Sequence, residues 1–148
     1  MYYYRLNKDG SVLDWSQSEY CDECLSTEKE IVKAWNGAMY VYGEEPAEPA
    51  ELVYARIQKQ MTDAVQRALD SFAKTRGYDS IMSACSYGNS TDEQFKLEAD
   101  YCIALRDTTW RMGYAILAEV KAGTRPIPSV EELIAELPVG SAKWPGEE

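Results

Sequence analysis

Histidine is absent from this chain of 148 residues. Its absence removes the commonest general base and every Ser–His or Cys–His nucleophile pair. No apolar run approaches the roughly 20 residues that a membrane-crossing helix needs. Met1-Tyr2-Tyr3-Tyr4-Arg5 lacks the basic start and apolar centre of a secretory signal, so a cytoplasmic location is expected. Neither a GxGxxG nor a GxxxxGK[ST] phosphate loop occurs. Cations are scarce: 15 Lys and Arg against 25 Asp and Glu leave a net charge of −10. A phosphate backbone is repelled by that balance, so neither nucleic acid nor a membrane is an expected partner. The deficit is steep in the first fifty residues, whose only cations are Arg5, Lys8, Lys29 and Lys33.

Cysteine is also sparse, with four in the chain. Cys21-Asp22-Glu23-Cys24 is a CxxC, but a structural zinc site needs four ligands. No histidine is on hand, and Cys85 and Cys102 lie far off on expected helices. A redox CxxC needs a stabilised thiolate, which Asp22 and Glu23 oppose. All four are therefore expected to be ordinary reduced thiols, with Cys85 and Cys102 packed inward as small hydrophobes. No carboxylate pair stands out from the charge on solvated helix faces. The expectation is a non-enzymatic protein without metal, cofactor or catalytic residues.

Apolar residues at 45% and charged ones at 27% place the chain among globular proteins rather than disordered ones. Eleven Tyr and four Trp against two Phe favour amphipathic rings. Such rings suit surfaces that are apolar yet partly wet, as at interfaces or the rim of a core.

The hydrophobic periods divide the chain. Residues 1–43 read as β-hairpins. Tyr2 to Leu6 and Val12 to Trp15 flank the turn signal Asn7-Lys8-Asp9-Gly10. Glu30 to Trp35 and Ala38 to Tyr42 flank Asn36-Gly37, which predicts a tight type I′ turn with positive φ at both central residues. Tyr2, Tyr3 and Tyr4 could then pair across strands with Trp35, Tyr40 and Tyr42, and these six are the candidate partner-binding residues. Residues 44–50, with Pro46, Pro49 and three glutamates, read as an acidic linker. A module of 43 residues is small for an independent core, so its hairpins need something to pack on.

Residues 51–138 read as a helical domain. Val53, Ile57, Met61, Val65, Leu69 and Phe72 form one stripe of a helix over 51–74, with Gly77 just past its end. So narrow a stripe also suits a coiled-coil seam, which leaves a homo-oligomer open. A short helix is expected over 79–87, capped by Asp79 or Ser80, with Ile81, Met82 and Cys85 inward. A second long helix, capped by Ser90 or Thr91, runs to about Ala122 with a broad apolar face that includes Phe95, Trp110, Gly113 and Tyr114. Ser129-Val130-Glu131-Glu132 is a capping box opening a last short helix. Residues 139–148 are expected to be a loose tail, with Trp144 its one anchor. The fold class is thus α+β: a small β-hairpin module followed by an antiparallel helical domain of two long and two short helices.

Arg76-Gly77-Tyr78-Asp79, Cys85-Ser86-Tyr87, Arg106-Asp107 with Trp110, and Gly123-Thr124-Arg125-Pro126-Ile127-Pro128 ahead of Glu132-Leu133-Ile134 occur in order. This stretch, a little under half the chain, resembles the C-terminal region of bacteriophage and prophage tail-fibre assembly proteins. The resemblance implies a chaperone-like accessory that binds the tip of a tail fibre and assists its trimerisation in the host cytoplasm. A protein that stays in the virion tail as a fibre component is a close variant. Arg76, Arg106, Asp107, Trp110 and Arg125 are its candidate docking or structural residues, with an Arg106–Trp110 cation–π contact expected from their spacing. The alternative, from another class, is an acidic inhibitor of a host defence or nucleic-acid-binding protein.

Overall fold

The computed structural model describes residues 1–147 and divides into two compact units, Met1–Val53 and Tyr54–Glu148. The division falls in the first helical turn after the acidic linker.

The first unit is a five-stranded antiparallel sheet of β1 (Tyr2–Leu6), β2 (Val12–Ser16), β3 (Leu25–Thr27), β4 (Ile31–Lys33) and β5 (Met39–Val41), in the spatial order β3-β1-β2-β5-β4. Both expected hairpins form. The third piece, β3, adds to the free edge of β1 and has no alternating pattern in sequence. The turn at Asn36-Gly37 differs from expectation, because only Gly37 has a positive φ, at 81°. The Gly37 N–H donates to the Ala34 carbonyl at 3.0 Å, and the Ala34 N–H to the Ala38 carbonyl at 2.8 Å. This is a three-residue loop with one left-handed residue, and glycine alone supplies it without strain.

The strand order constrains the shape of this sheet. A flat sheet would hold its two edge strands about 19 Å apart, at four steps of about 4.8 Å. Thr27 and Ile31, at the two edges, are joined by chain that reaches at most about 14 Å. The sheet is therefore curled, with its edges drawn together. An extra residue on β2 opposite Arg5–Leu6 forms a bulge that helps the bend. The buried apolar side chains of this unit are Val12, Tyr40 and Val41.

The second unit is helical: α1 (Ala50–Lys74), α2 (Ile81–Cys85), α3 (Glu93–Lys121) and α4 (Val130–Glu136), with 3₁₀ turns at Ser86–Asn89 and Pro138–Ser141. The stripe of α1 turns inward as expected, with Val65 and Leu69 buried most deeply. After Lys74, the Gly77 N–H donates to the Lys74 carbonyl and the Tyr78 N–H to the Ala73 carbonyl, a Schellman stop. Ser80 caps α2, and the Ser129–Glu132 capping box forms in both directions. Asp92, rather than Ser90 or Thr91, caps α3; its carboxylate accepts from the Phe95 N–H at 3.0 Å, while the Ser90 hydroxyl accepts from the Asp92 N–H.

Helices α1 and α3 run antiparallel. Phe72 near the end of α1 meets Tyr101 near the start of α3, while Ile57 and Met61 line a groove with Leu117 and Val120. The core joins Val65, Leu69, Ile81, Cys102, Leu105, Ile116, Leu133, Leu137 and Trp144. Three large residues expected inward are exposed instead: Met82 at 60%, Phe95 at 46% and Tyr114 at 63%.

The segment after Pro138 is not loose. Val139 and Trp144 are buried, and the Trp144 indole stacks on Phe72 with centroids 4.5 Å apart. Its Nε1–H donates to Thr75 Oγ1 at 2.8 Å. A tryptophan this far inside orders the chain on both sides of it, which a reading by composition cannot detect.

Candidate functional site

Strand alternation gathers an apolar surface on one face of the curled sheet. Tyr4 lies opposite Trp15 on β2 and opposite Leu25 on β3, so the three share a face. Tyr2, two residues before Tyr4, reaches diagonally to Trp15 with ring centroids 5.5 Å apart. Leu13 is the extra residue of the β2 bulge and is exposed beside this row. Leu13, Trp15 and Leu25 are each about half exposed, at 56%, 43% and 48%. The face also carries the core residue Val12, opposite Leu6, so the half-exposed side chains extend the apolar side of a unit with a small core.

The opposite face carries a polar clasp. Arg5 Nε donates to Asp14 Oδ1 at 2.9 Å, and Arg5 Nη2 and the Tyr20 hydroxyl also donate to that carboxylate. The Arg5 guanidinium lies 5.9 Å from the Tyr20 ring centroid. Hydrogen bonds from Arg5, then from Tyr20, pull the Asp14 carboxyl down to about 2. The clasp holds β1 to β2 behind the apolar face.

The six aromatic residues expected to bind a partner do not form one patch. Tyr2 and Tyr4 share the face with Trp15. Tyr3 points the other way, opposite Ser16 and Ser26. Tyr40 is buried and its hydroxyl accepts from Asn36 Nδ2 at 3.2 Å. Trp35 lies in the hairpin turn and Tyr42 just past β5, both exposed. Trp15 stands out in the sequence of β2, but nothing local marks Leu25, whose neighbour is set by the long-range pairing of β3.

The second group of expected residues occupies structural junctions. Arg76 pairs with Glu98 at 3.5 Å and with Glu147 at 3.1 Å, and its guanidinium lies over Trp144. Glu98, nearly buried, also accepts from the Tyr78 hydroxyl at 2.8 Å and from Gln94 Nε2 at 2.7 Å. Burial, then the hydrogen bond to Glu98, push the Tyr78 phenol up to about 12. Arg125 grips Glu136 through two bonds of 3.0 and 2.8 Å and reaches Glu119 at 3.5 Å, tying the end of α3 to α4. Arg106 meets Met82 Sδ at 3.1 Å and Asp107 at 3.5 Å. The cation–π contacts among the described residues are Arg5–Tyr20 and Arg76–Trp144, so the expected Arg106–Trp110 contact does not form. Trp110 instead approaches Tyr114, with centroids 6.2 Å apart.

Cys21 and Cys24 are joined as a disulfide across the loop before β3, in place of the expected free thiols. Their Cα atoms are 5.5 Å apart, within the usual range for a bridge, and the turn brings them together. Cys85 and Cys102 are free, and burial pushes the Cys102 thiol up to about 12. Among the described residues no group of three or more His, Cys, Asp or Glu is placed to hold a metal ion, and no helix is long and apolar enough to cross a membrane.

Comparison with protein-family models, with curated proteins and with solved structures finds no match to this chain.

Proposed function

We propose that this protein is a non-enzymatic tail-fibre accessory that docks on the end of a fibre through the apolar face of its N-terminal sheet. The observation that carries the docking reading is the row of half-buried Tyr2 and Tyr4 with exposed Trp15 and Leu25, on a unit whose own core is little more than Val12, Tyr40 and Val41. Covering such a face removes apolar area from water, and tyrosine and tryptophan supply large contacts at low entropy cost. The edge strands β3 and β4 are three residues each, so strand addition would gain few ladder bonds. Side-chain burial on the face, rather than extension of the sheet, is the stronger source of affinity. The fibre as partner rests on the resemblance of the C-terminal region.

Co-expression with a candidate fibre protein encoded beside this chain, followed by size-exclusion chromatography with light scattering, tests this. A complex, or fibre trimer that forms only in its presence, is the expected result. Its loss on Trp15→Ser would place the contact on the sheet. Normal fibre trimer without this protein, and no complex, would overturn the reading. Purified particles then separate a departing chaperone from a stoichiometric tail component.

A further inference from the structure

The helical unit holds a second feature, independent of the fibre reading. The antiparallel helices α1 and α3 leave an apolar groove between Tyr54, Ile57 and Met61 on one side and Trp110, Tyr114 and Leu117 on the other. We propose that this groove receives an amphipathic helix of another protein, apolar on one side and carrying a carboxylate that pairs with Lys121.

Three observations specify that occupant. The first is size. The groove offers about 90 Å³, whereas pockets for small-molecule ligands hold roughly 300–1,000 Å³. It has room for one or two large side chains presented from outside, not for a cofactor.

The second is Gly113, which lines the groove in the interior of α3. Glycine there is less stable than alanine. A Cβ at this position would meet nothing within 4 Å, so packing within the chain does not demand its absence. Its φ is not positive, so the backbone does not demand it either. What a bare backbone permits is close approach by something not part of this chain, and a helix laid along the groove approaches in that way.

The third is charge. Among the described residues Lys121 is the only charged side chain lining the groove, and no ion pair holds it. An apolar floor with one free cation at its end complements an apolar helix face with an acidic flank. A second copy placed groove to groove would set concavity against concavity and Lys121 against no carboxylate lining the facing groove.

The test uses the full chain and a synthetic amphipathic helix with a leucine face flanked by glutamates, with titration calorimetry as readout. Binding is expected, weakened about tenfold by Lys121→Glu through loss of the charge pair, with a lysine-flanked peptide recovering that loss on the variant. Gly113→Leu, with helicity checked by circular dichroism, should abolish binding by filling the groove. Lys121→Glu alters only an exposed side chain and stays informative if the leucine variant misfolds. No binding of the glutamate peptide, or affinity indifferent to the charge exchange, would overturn the proposal. So would a dimer in light scattering that Gly113→Leu converts to monomer, since a second copy would then fill the groove.

Discussion

The guanidinium of Arg76 lies over the ring of Trp144, 5.4 Å from its centroid, while the same arginine pairs with Glu98 and Glu147. One side chain thus joins the end of α1, the first half of α3 and the C-terminal segment. Around it, Trp144 stacks on Phe72 and approaches Tyr78 and Tyr101. Arg76, one of the residues that carry the resemblance, therefore ties three segments of the helical unit together at its surface.

Trp144→Ala should destabilise the helical unit by about 3–5 kcal/mol, the usual cost of emptying a buried aromatic site. Truncation after Pro138 should cost at least as much, since it also removes buried Val139. Urea unfolding followed by circular dichroism measures both. A tail that can be cut without loss of stability would contradict this packing.

Stability should fall at alkaline pH. The Tyr78 phenol and the Cys102 thiol both ionise in the folded chain only near 12, above their ordinary ranges near 10 and 9. Each raised value means that the unfolded chain loses its proton first. Their contribution is full below about pH 9 and is lost as pH rises toward 12. Melting temperatures between pH 8 and 12 should show this decline, and Tyr78→Phe should make it shallower.

Thr109 is fully buried on α3, and its Oγ1 has no hydrogen-bond partner among the described residues. Burying an unpaired hydroxyl is costly, and valine has nearly the same shape. Thr109→Val should leave the fold intact and raise stability by up to about 1 kcal/mol, read from the denaturant midpoint. A marked loss would show that the hydroxyl is satisfied.

Arg125 tests latch against docking surface. Its bonds to Glu136 and Glu119 are partly exposed, and such pairs contribute little. Arg125→Ala should lower the melting temperature by less than about 5 °C. It should leave the proposed fibre complex unchanged. Lost binding with an unchanged fold would make Arg125 a contact residue instead.

Trp15→Ser should behave in the opposite way. The side chain is 43% exposed and touches Tyr2, so the sheet should lose some stability yet stay folded, while the proposed complex is lost. Hydrogen exchange on the free protein and chromatography of the mixture separate the two effects.

Local rules made much of the fold legible. The i, i+4 stripe from Val53 to Phe72, the Gly77 and Gly123 stops, the Ser129–Glu132 box and both hairpins depend on neighbours a few residues apart, and all are present. The cap of α3 was expected at Ser90 or Thr91 and falls instead on Asp92, because neighbouring residues with a suitable oxygen differ only in the backbone course that brings one of them into range. The face proposed for docking was only half legible. Alternation puts Tyr2 and Tyr4 together, but Tyr40 has the same composition as an exposed strand aromatic and is buried.

The sequence by itself determined that two hairpins, two long helices and two short ones form, because caps, turns and periodicity act over one or two turns of chain. The tertiary structure decided the rest. It added β3 beside β1, which placed Leu25 against Tyr4; it closed Cys21 on Cys24; and it drew Trp144 onto Phe72. The physical reason is common to all three. Each joins groups whose affinity is non-directional or whose meeting depends on the course of intervening chain, so their partners are chosen by the folded arrangement and not by spacing.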